Sequence, residues 1–522
     1  MGIYIAMTIS KSVTPEEWTS VYNETLRLVE AFPFSERREV PIRGIKTICL
    51  VPTKEREDRY GWNNENILTG WFADGDYETL CTAECFRLTR DRVTKESYDP
   101  EAPDAMFPVV ASHLGYDPED PRFHRYYQLW GSKTQGEPYH MYLLAVACLI
   151  ESRLGSKAYV YGDITKGQCR KAVEMANQYL DTKIDLPARC DPERFLKRIK
   201  ALPFSEQELL KIYIDLYLGN KDAAFGDTAR KQFSEAAFAA YWKKRLDQVQ
   251  VTMTGFSDIL YEYLLWGFDL EKLAGYVSFT DNEGNTHYDD YVRKIMETKI
   301  YLKEKDCSDI LKIDNEDEQP YGIATQFAQL LFGNAKNRKV DRYIPLDDVR
   351  NALLSSIGNT CDVNSLIDQY QDEEDVPSAF TQTMEAKLEA LKEQRRQYDI
   401  AFYEDLPFFK SSRSINPDLA ERAKRYFAFY RGVTKEERFA ELMERTPKER
   451  CEWLVSQNGS ILLRDRDWNR IFGDIMEKKE SFSRYYPMVR VKITNDNLIY
   501  LIQAIAVNDA LYEYLSKSTA PD

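Results

Sequence analysis

The spacing of apolar and polar positions changes along the chain, and the changes mark its organisation. Residues 3–10, IYIAMTIS, are an apolar, β-branched run that predicts a strand. They feed TPEEWTSVYNETLRLVEAF, where Thr14 is placed as N-cap, Pro15 takes the first helical position and Glu17 completes a capping box. EVPIRGIKTICLVPT and TGWFADGDYETLCTAECFRL then supply β-branched and aromatic runs broken by Gly44 and by turn residues. Residues 1–130 are expected to form a small α+β unit.

From Pro138 onward the period becomes helical. PYHMYLLAVACLIESRL is apolar on almost every face, which suits a helix in the interior of the fold. KAYVYGD reads as a short strand, and ITKGQCRKAVEMANQYL as a helix boxed by Thr165 and Gln168, with Ala172, Met175, Ala176 and Tyr179 on one stripe. Ser205 and Glu208 box a further helix that stops at Gly219 and Asn220. RKQFSEAAFAAYWKKRL and FSDILYEYLLWGFDLEKLAGY each predict one more, and VSFTDNEGNTHYDDYV predicts a hairpin over Glu283, Gly284 and Asn285. These place a mainly helical domain at 131–360. The acidic, helix-poor stretch 361–380, with QDEEDVPS, is the expected linker.

Residues 381–522 return to helix. A start at Asn416 and Pro417 runs to Gly432, boxes begin at Thr434 with Glu437 and at Thr446 with Glu449, and NDNLIYLIQAIAVNDALYEYLSKS predicts a long apolar helix that docks on a neighbour. The expected fold class is α+β, mainly α-helical, with an irregular multi-helix body after the N-terminal unit. AFPFSERR, ALPFSEQE and DLPFFKSS recur at unequal separations, so a fixed-period array is not predicted.

Composition adds a compartment and a charge. Apolar residues at 43% and charged residues at 30% support packed cores rather than disorder. The nine cysteines include no CxxC pair and read as reduced thiols. No signal-like segment opens the chain, and its longest apolar run, MYLLAVACLI, is half of the ~20 residues a membrane span needs. A cytoplasmic, non-membrane protein is expected. The formal charge of −15 favours basic partners over nucleic acid. Its excess acid lies in residues 1–380, because 381–522 carries 24 Lys+Arg against 23 Asp+Glu.

Candidate chemistry is sparse, and no complete catalytic signature is present. In LWGSKTQGEPYH, residues 129–140, Gly131-Ser132-Lys133-Thr134 has a phosphate loop's residue types in the wrong order, because the lysine precedes the second glycine, Gly136. A turn entering a helix is the expectation. Glu137 and His140, at i and i+3, have the spacing of one half of a carboxylate-bridged metal site, but no second pair exists. Asp74 and Asp76, with Glu78, alternate as divalent-metal carboxylates do in phosphoryl enzymes. The 281–290 loop, DNEGNTHYDD, lacks the calcium-loop order. In ERAKRYFAFYRG, Arg422, Lys424, Arg425 and Arg431 interleave with Tyr426 and other rings, a pairing that single-stranded nucleic acid uses. Packing of Phe427 and Tyr430 against a core is the competing expectation.

These features favour a protein-interaction protein without a cofactor. It would engage a protein partner, of basic charge, through the acidic surface of 1–380. One version neutralises a basic toxin or effector as an immunity protein, and another serves as a subunit of a defence or regulatory assembly. The alternative is a metal-dependent enzyme on nucleotide or nucleic acid, with Asp74, Asp76, Glu137 and His140 around one cleft. A third reading gives RNA binding to Arg422, Lys424, Arg425, Tyr426 and Arg431.

Overall fold

Among the described residues the strands are β1 (Tyr4–Ser10), β2 (Phe34–Ile42), β3 (Ile45–Pro52), β4 (Arg56–Tyr60), β5 (Asn66–Asp76), β6 (Thr82–Thr89), β7 (Tyr126–Lys133) and β8 (Ala158–Gly162); β4 and β7 lie where no strand is predicted, and the others overlap the predicted β-branched runs. The computed structural model describes residues 2–60, 66–117, 119–305, 307, 339–372 and 379–518. Helices dominate the remainder, and the fold is α+β, mainly α-helical. The chain divides into two compact units. One comprises Met1–Leu28, Arg90–Gly136 and His140–Glu385, and the other Val29–Thr89, Glu137–Tyr139 and Ala386–Asp522.

In the first unit β1 is the middle strand of an antiparallel three-stranded sheet, between β7 and β8. Its first helix, α1 (Pro15–Ala31), begins with the predicted reciprocal box. Thr14 N donates to Glu17 Oε2 at 2.8 Å, and Glu17 N donates to Thr14 Oγ1 at 3.1 Å. A short helix, α2 (Phe107–His113), and then α3 (Tyr139–Leu154) follow, and α3 is buried along nearly its whole length. The Thr165 and Gln168 box opens α4 (Lys166–Ala176), and Asp191 caps α5 (Pro192–Lys200). Beyond them an apolar cluster extends to Ile367, rich in rings such as Tyr213, Phe225, Trp242, Tyr263 and Trp266.

The second unit joins the sheet of β2 to β6 with the C-terminal helices. Strand order is β3-β2-β5-β4, and β6 also pairs with β5. The β2–β3 turn is two residues, Arg43 and Gly44, at φ +49° and +80°, which matches the mirror-image turn that a right-twisted hairpin needs. Cys49 and Leu50 of β3 share a core with Trp468, Ile471 and Phe472 of the Asp465–Glu477 helix and with Ile502 and Ile505 of the Asp496–Val507 helix.

Several elements depart from the sequence pattern. The stripe on α4 ends early: Tyr179 is 48% exposed beyond the helix, and Cys169 and Val173 are buried with Ala172 and Ala176. RKQFSEAAFAAYWKKRL is two helices, because Ser234 caps a new one at Glu235–Leu246. FSDILYEYLLWGFDLEKLAGY breaks at Gly267, φ +81°. Val363–Tyr370, in the stretch expected to lack helix, is a helix capped by Asp362, while residues 373–378 of that stretch lie outside the described residues. Thr434 caps nothing, since its hydroxyl bonds to Arg431 O and the helix starts at Glu437. The final apolar segment breaks at Asn508, whose side-chain amide donates to Pro407 O at 3.0 Å and Phe409 O at 2.8 Å.

One buried acid organises the first unit. Glu151, 4% exposed on the apolar α3, accepts Val160 N of β8 at 2.8 Å, Ala188 N at 2.9 Å and Arg198 Nη1 of α5 at 3.2 Å. Arg198 in turn holds Asp104 through two hydrogen bonds and donates to Ser156 O and Ala158 O. Removing one member of such a network strands buried charge. Glu151→Ala is expected to destabilise this unit by about 3–5 kcal/mol, read as faster amide hydrogen exchange across α3, β8 and α5. Glu17→Gln, which breaks the more exposed pair with Lys157 but keeps the capping box, should cost under about 1 kcal/mol.

Candidate functional site

The loop 129–140 shows how local chemistry decides between cofactor and turn. Gly131 lies within β7, and Gln135 and Gly136 both take positive φ, +56° and +79°, so the second glycine serves the turn. Thr134, fully buried, receives the His140 ring: Thr134 Oγ1 and His140 Nδ1 are 2.7 Å apart. His140 Nε2 is buried and has no hydrogen-bond partner among the described residues. Burial lowers this imidazole to about 4, and a neutral ring is the form the interior tolerates.

The predicted carboxylates are each committed to a separate task. Asp76 Oδ1 accepts Glu78 N at 2.7 Å and Thr79 N at 2.8 Å, closing the β5–β6 turn. Asp74 Oδ2 accepts Arg37 N of β2 at 2.6 Å and lies beside the Cys85 thiol. Glu137 precedes α3 rather than sharing a helical face with His140, and it lies beside the Cys81 thiol. Burial, with the Asp496 and Glu404 charges, raises its carboxyl above the usual range. Thus Asp74, Asp76 and Glu137 sit in the second unit with different partners, and His140 in the first with Thr134. Among the described residues no group of three or more His, Cys, Asp or Glu side chains is arranged to hold a metal ion. In the 281–290 loop, His287 spans Asp281 and Asp290, 3.0 Å from each. Hydrogen bonds from both raise its pKa, and that from His287 holds Asp281 far below the carboxylate range.

The C-terminal candidates do converge. The Pro417–Gly432 helix starts at Asn416, whose side chain accepts Asp418 N at 2.9 Å with Pro417 at the first position. Its inner stripe, Leu419, Ala420, Ala423, Phe427 and Tyr430, is buried. Its outer face carries Arg422, Arg425, Tyr426 and Phe429 at i, i+3, i+4 and i+7, with Tyr426 43% and Phe429 66% exposed. These four line a cleft of about 600 Å³ with Tyr403, Asn495 and Asn497. A second hollow of about 270 Å³ shares Tyr403, Arg422 and Asn497 and adds Asp418 and Glu404.

Charge in this cleft is nearly balanced. Arg425 Nε donates to Glu421 Oε1 at 3.1 Å, and Glu404 is bound by Arg395 at 2.9 Å. Lys424 is turned to the Tyr514 ring, 5.4 Å from its centroid, and Arg431 is exposed but lines neither hollow. Of the five residues expected to meet nucleic acid, Arg422, Arg425 and Tyr426 share one site. Phe429 belongs to the interleaved run of the sequence, whereas Tyr403 and the two asparagines are not among the expected residues. The i, i+3, i+4, i+7 spacing signalled Phe429, whereas nothing local signalled residues 70 positions away.

The first unit holds clefts of its own. One of about 670 Å³ is floored by Phe238, Trp242, Tyr263 and Phe268 and rimmed by Arg230 and Lys272 with Asp227 and Asp269. No family model, curated protein or solved structure matches the chain.

Protonation of His140 provides a test of its environment. Its folded pKa lies below the ~6.5 of an unfolded histidine, so the unfolded chain takes up the proton first as pH falls. Stability from this group is present above about pH 6.5 and is lost as pH falls to about 4, by about 3 kcal/mol in all. By NMR, the His140 ring should not titrate between about pH 5 and 8, whereas His287 should titrate with a midpoint above the ordinary ~6.5. His140→Phe should remove this part of the acid sensitivity.

Proposed function

We propose that this protein acts by binding a protein partner, and that the outer face of the Pro417–Gly432 helix is its contact surface. The observation that carries the reading is the exposed Arg422, Arg425, Tyr426 and Phe429 stripe beside a cleft. Leaving rings in water forgoes roughly 1.5–3 kcal/mol of burial for each large side chain, and arginine with tyrosine or tryptophan is the composition of interface hot spots. The helix already has a full inner stripe, so these rings are surplus to its own packing.

Local charge favours protein over nucleic acid. A single strand brings about one negative charge per nucleotide and needs a row of cations to follow it. Here Arg422 and Arg425 stand among Asp418, Glu421 and Glu404, while Lys424 and Arg431 lie off the cleft. With a net charge of −15, long-range attraction favours a basic protein. A neutralised toxin or effector is one such partner, and a neighbouring subunit of a defence or regulatory assembly is another.

The test compares wild-type protein with an Arg422→Ala/Phe429→Ala variant as bait in native lysate, after circular dichroism has shown both folded. The expected result is a stoichiometric polypeptide retained by the wild type and weakened by at least about 2 kcal/mol, roughly 30-fold, in the variant. Its association rate should fall with salt. No variant-sensitive partner, or tight binding of single-stranded RNA whose affinity collapses with salt, would overturn the reading.

A further inference from the structure

The turn that leads into the Tyr288–Glu297 helix is drawn together around one histidine. His287 N donates to Phe279 O at 2.9 Å, which closes the backbone at the base of the turn, and Phe279 stacks on Tyr288 with ring centroids 4.5 Å apart. Asp281 organises the tip: its Oδ1 accepts Glu283 N and Asn285 N, each at 2.9 Å, and its Oδ2 accepts Asn285 Nδ2 at 3.1 Å. The His287 ring then joins tip to helix. Its Nε2 lies 3.0 Å from Asp281 Oδ2, and its Nδ1 3.0 Å from Asp290 Oδ2.

Only one protonation state satisfies both contacts. An ionised carboxylate accepts and does not donate, so both imidazole nitrogens must carry a proton, and that form is the cation. The neutral ring has a single N–H, and either tautomer sets a nitrogen lone pair against a carboxylate oxygen at 3.0 Å. With both nitrogens facing carboxylates, neither is left for a metal. Asp281 from the turn and Asp290 from the helix favour the cation. Arg293, which holds Asp290 Oδ1 at 2.5 Å, works against it, as does the positive end of the helix. The carboxylates prevail, and the ring, 19% exposed, exchanges its proton with solvent.

We propose that His287 is a proton-operated latch on this turn: as imidazolium it ties Asp281 to Asp290, and on losing a proton to solvent it lets one of them go. The released turn keeps its backbone bonds and those between Asp281 and Asn285, but its tip is no longer fastened to the helix through the ring. The sign follows from the direction of the shift. Hydrogen bonds from Asp281 and Asp290 raise the folded ring above the ~6.5 of an unfolded histidine. The latch is therefore complete below about pH 6.5 and is lost as pH rises through the midpoint of the folded ring. This dependence is opposite to that of His140, whose contribution is lost towards acid. The exposed tip, Glu283 to Asn285, is held at the lower pH and loosened at the higher one.

The test follows the ring nitrogens of histidine-labelled, full-length protein by NMR from about pH 5.5 to 9. Amide hydrogen exchange at Gly284, Asn285 and His287 is measured over the same range, with the β2–β3 turn as the reference for the ordinary pH dependence of exchange. Both nitrogens should be protonated at the acid end and one at the alkaline end. Relative to the reference, protection of the three amides should fall about three- to tenfold through the midpoint of the ring. His287→Gln should abolish this step, and Asp290→Asn should lower the midpoint and shrink the step. A ring with one N–H at the acid end, a ring that keeps both protons throughout, protection unchanged through the midpoint, or an equal step in His287→Gln would each overturn the latch. The wild-type titration and exchange decide by themselves if a variant fails to fold.

Discussion

Glu151 is the acid that the first unit is built around. It sits on a helix with hardly any other polar obligation, and a carboxylate at that depth is tolerated only if its oxygens are bonded. Three donors meet it, and each belongs to a different segment: Val160 in β8, Ala188 in the turn that ends at Cys190, and Arg198 on α5. β8 pairs with β1, so the placement of the small sheet follows from the same carboxylate. Cys148 lies one turn before Glu151, and Cys190 two residues after Ala188. The carboxylate that positions this backbone therefore also fixes where Cys148 and Cys190 stand along it.

Cysteine suits that location for a physical reason. Cys148, Cys169 and Cys190 are all enclosed, and a serine at any of these positions would carry a hydroxyl that needs partners. A thiol packs as a small apolar group with weak hydrogen-bonding demands. The same site admits the Arg189 guanidinium, whose Tyr159 contact, 5.9 Å from carbon to ring centroid, and bond to Leu216 O only partly satisfy it. A core built this way is chemically inert, because burial keeps its thiols protonated.

What was legible in the sequence was what is decided within one turn of backbone. The boxes at Thr14, Thr165, Ser205 and Thr446 form, because both halves of each bond are three residues apart, but the same spacing at Thr434 and Glu437 gives none, since the Thr434 hydroxyl turns back to Arg431 O. The buried α3 was legible too, since a helix apolar on every face has only the interior to occupy. The breaks in the long helical segments were not. Asn508 ends a helix because carbonyls about 100 residues earlier take its amide, and the tight approach of Gly226 to Trp266 fixes a crossing that no local pattern announces. The pairing of β2 and β3 with helices beyond residue 446 is of the same kind.

The candidate site divides along the same line. Arg422, Arg425, Tyr426 and Phe429 share a face by helical geometry alone, so their convergence could be read from spacing once the helix was known. Asp74, Asp76 and Glu137 could not be judged that way. A carboxylate that closes a turn and one that holds a metal have the same sequence signature, and only the donors that reach them differ. Asp76 accepts two amides of its own turn, Asp74 an amide of the neighbouring strand, and Glu137 stands beside the Cys81 thiol. Each has its own local partner, so these acids stabilise the sheet and its approaches. The Pro417–Gly432 helix is the opposite case: its packing is complete on one side, and on the other Tyr426 and Phe429 stay exposed beside a cleft.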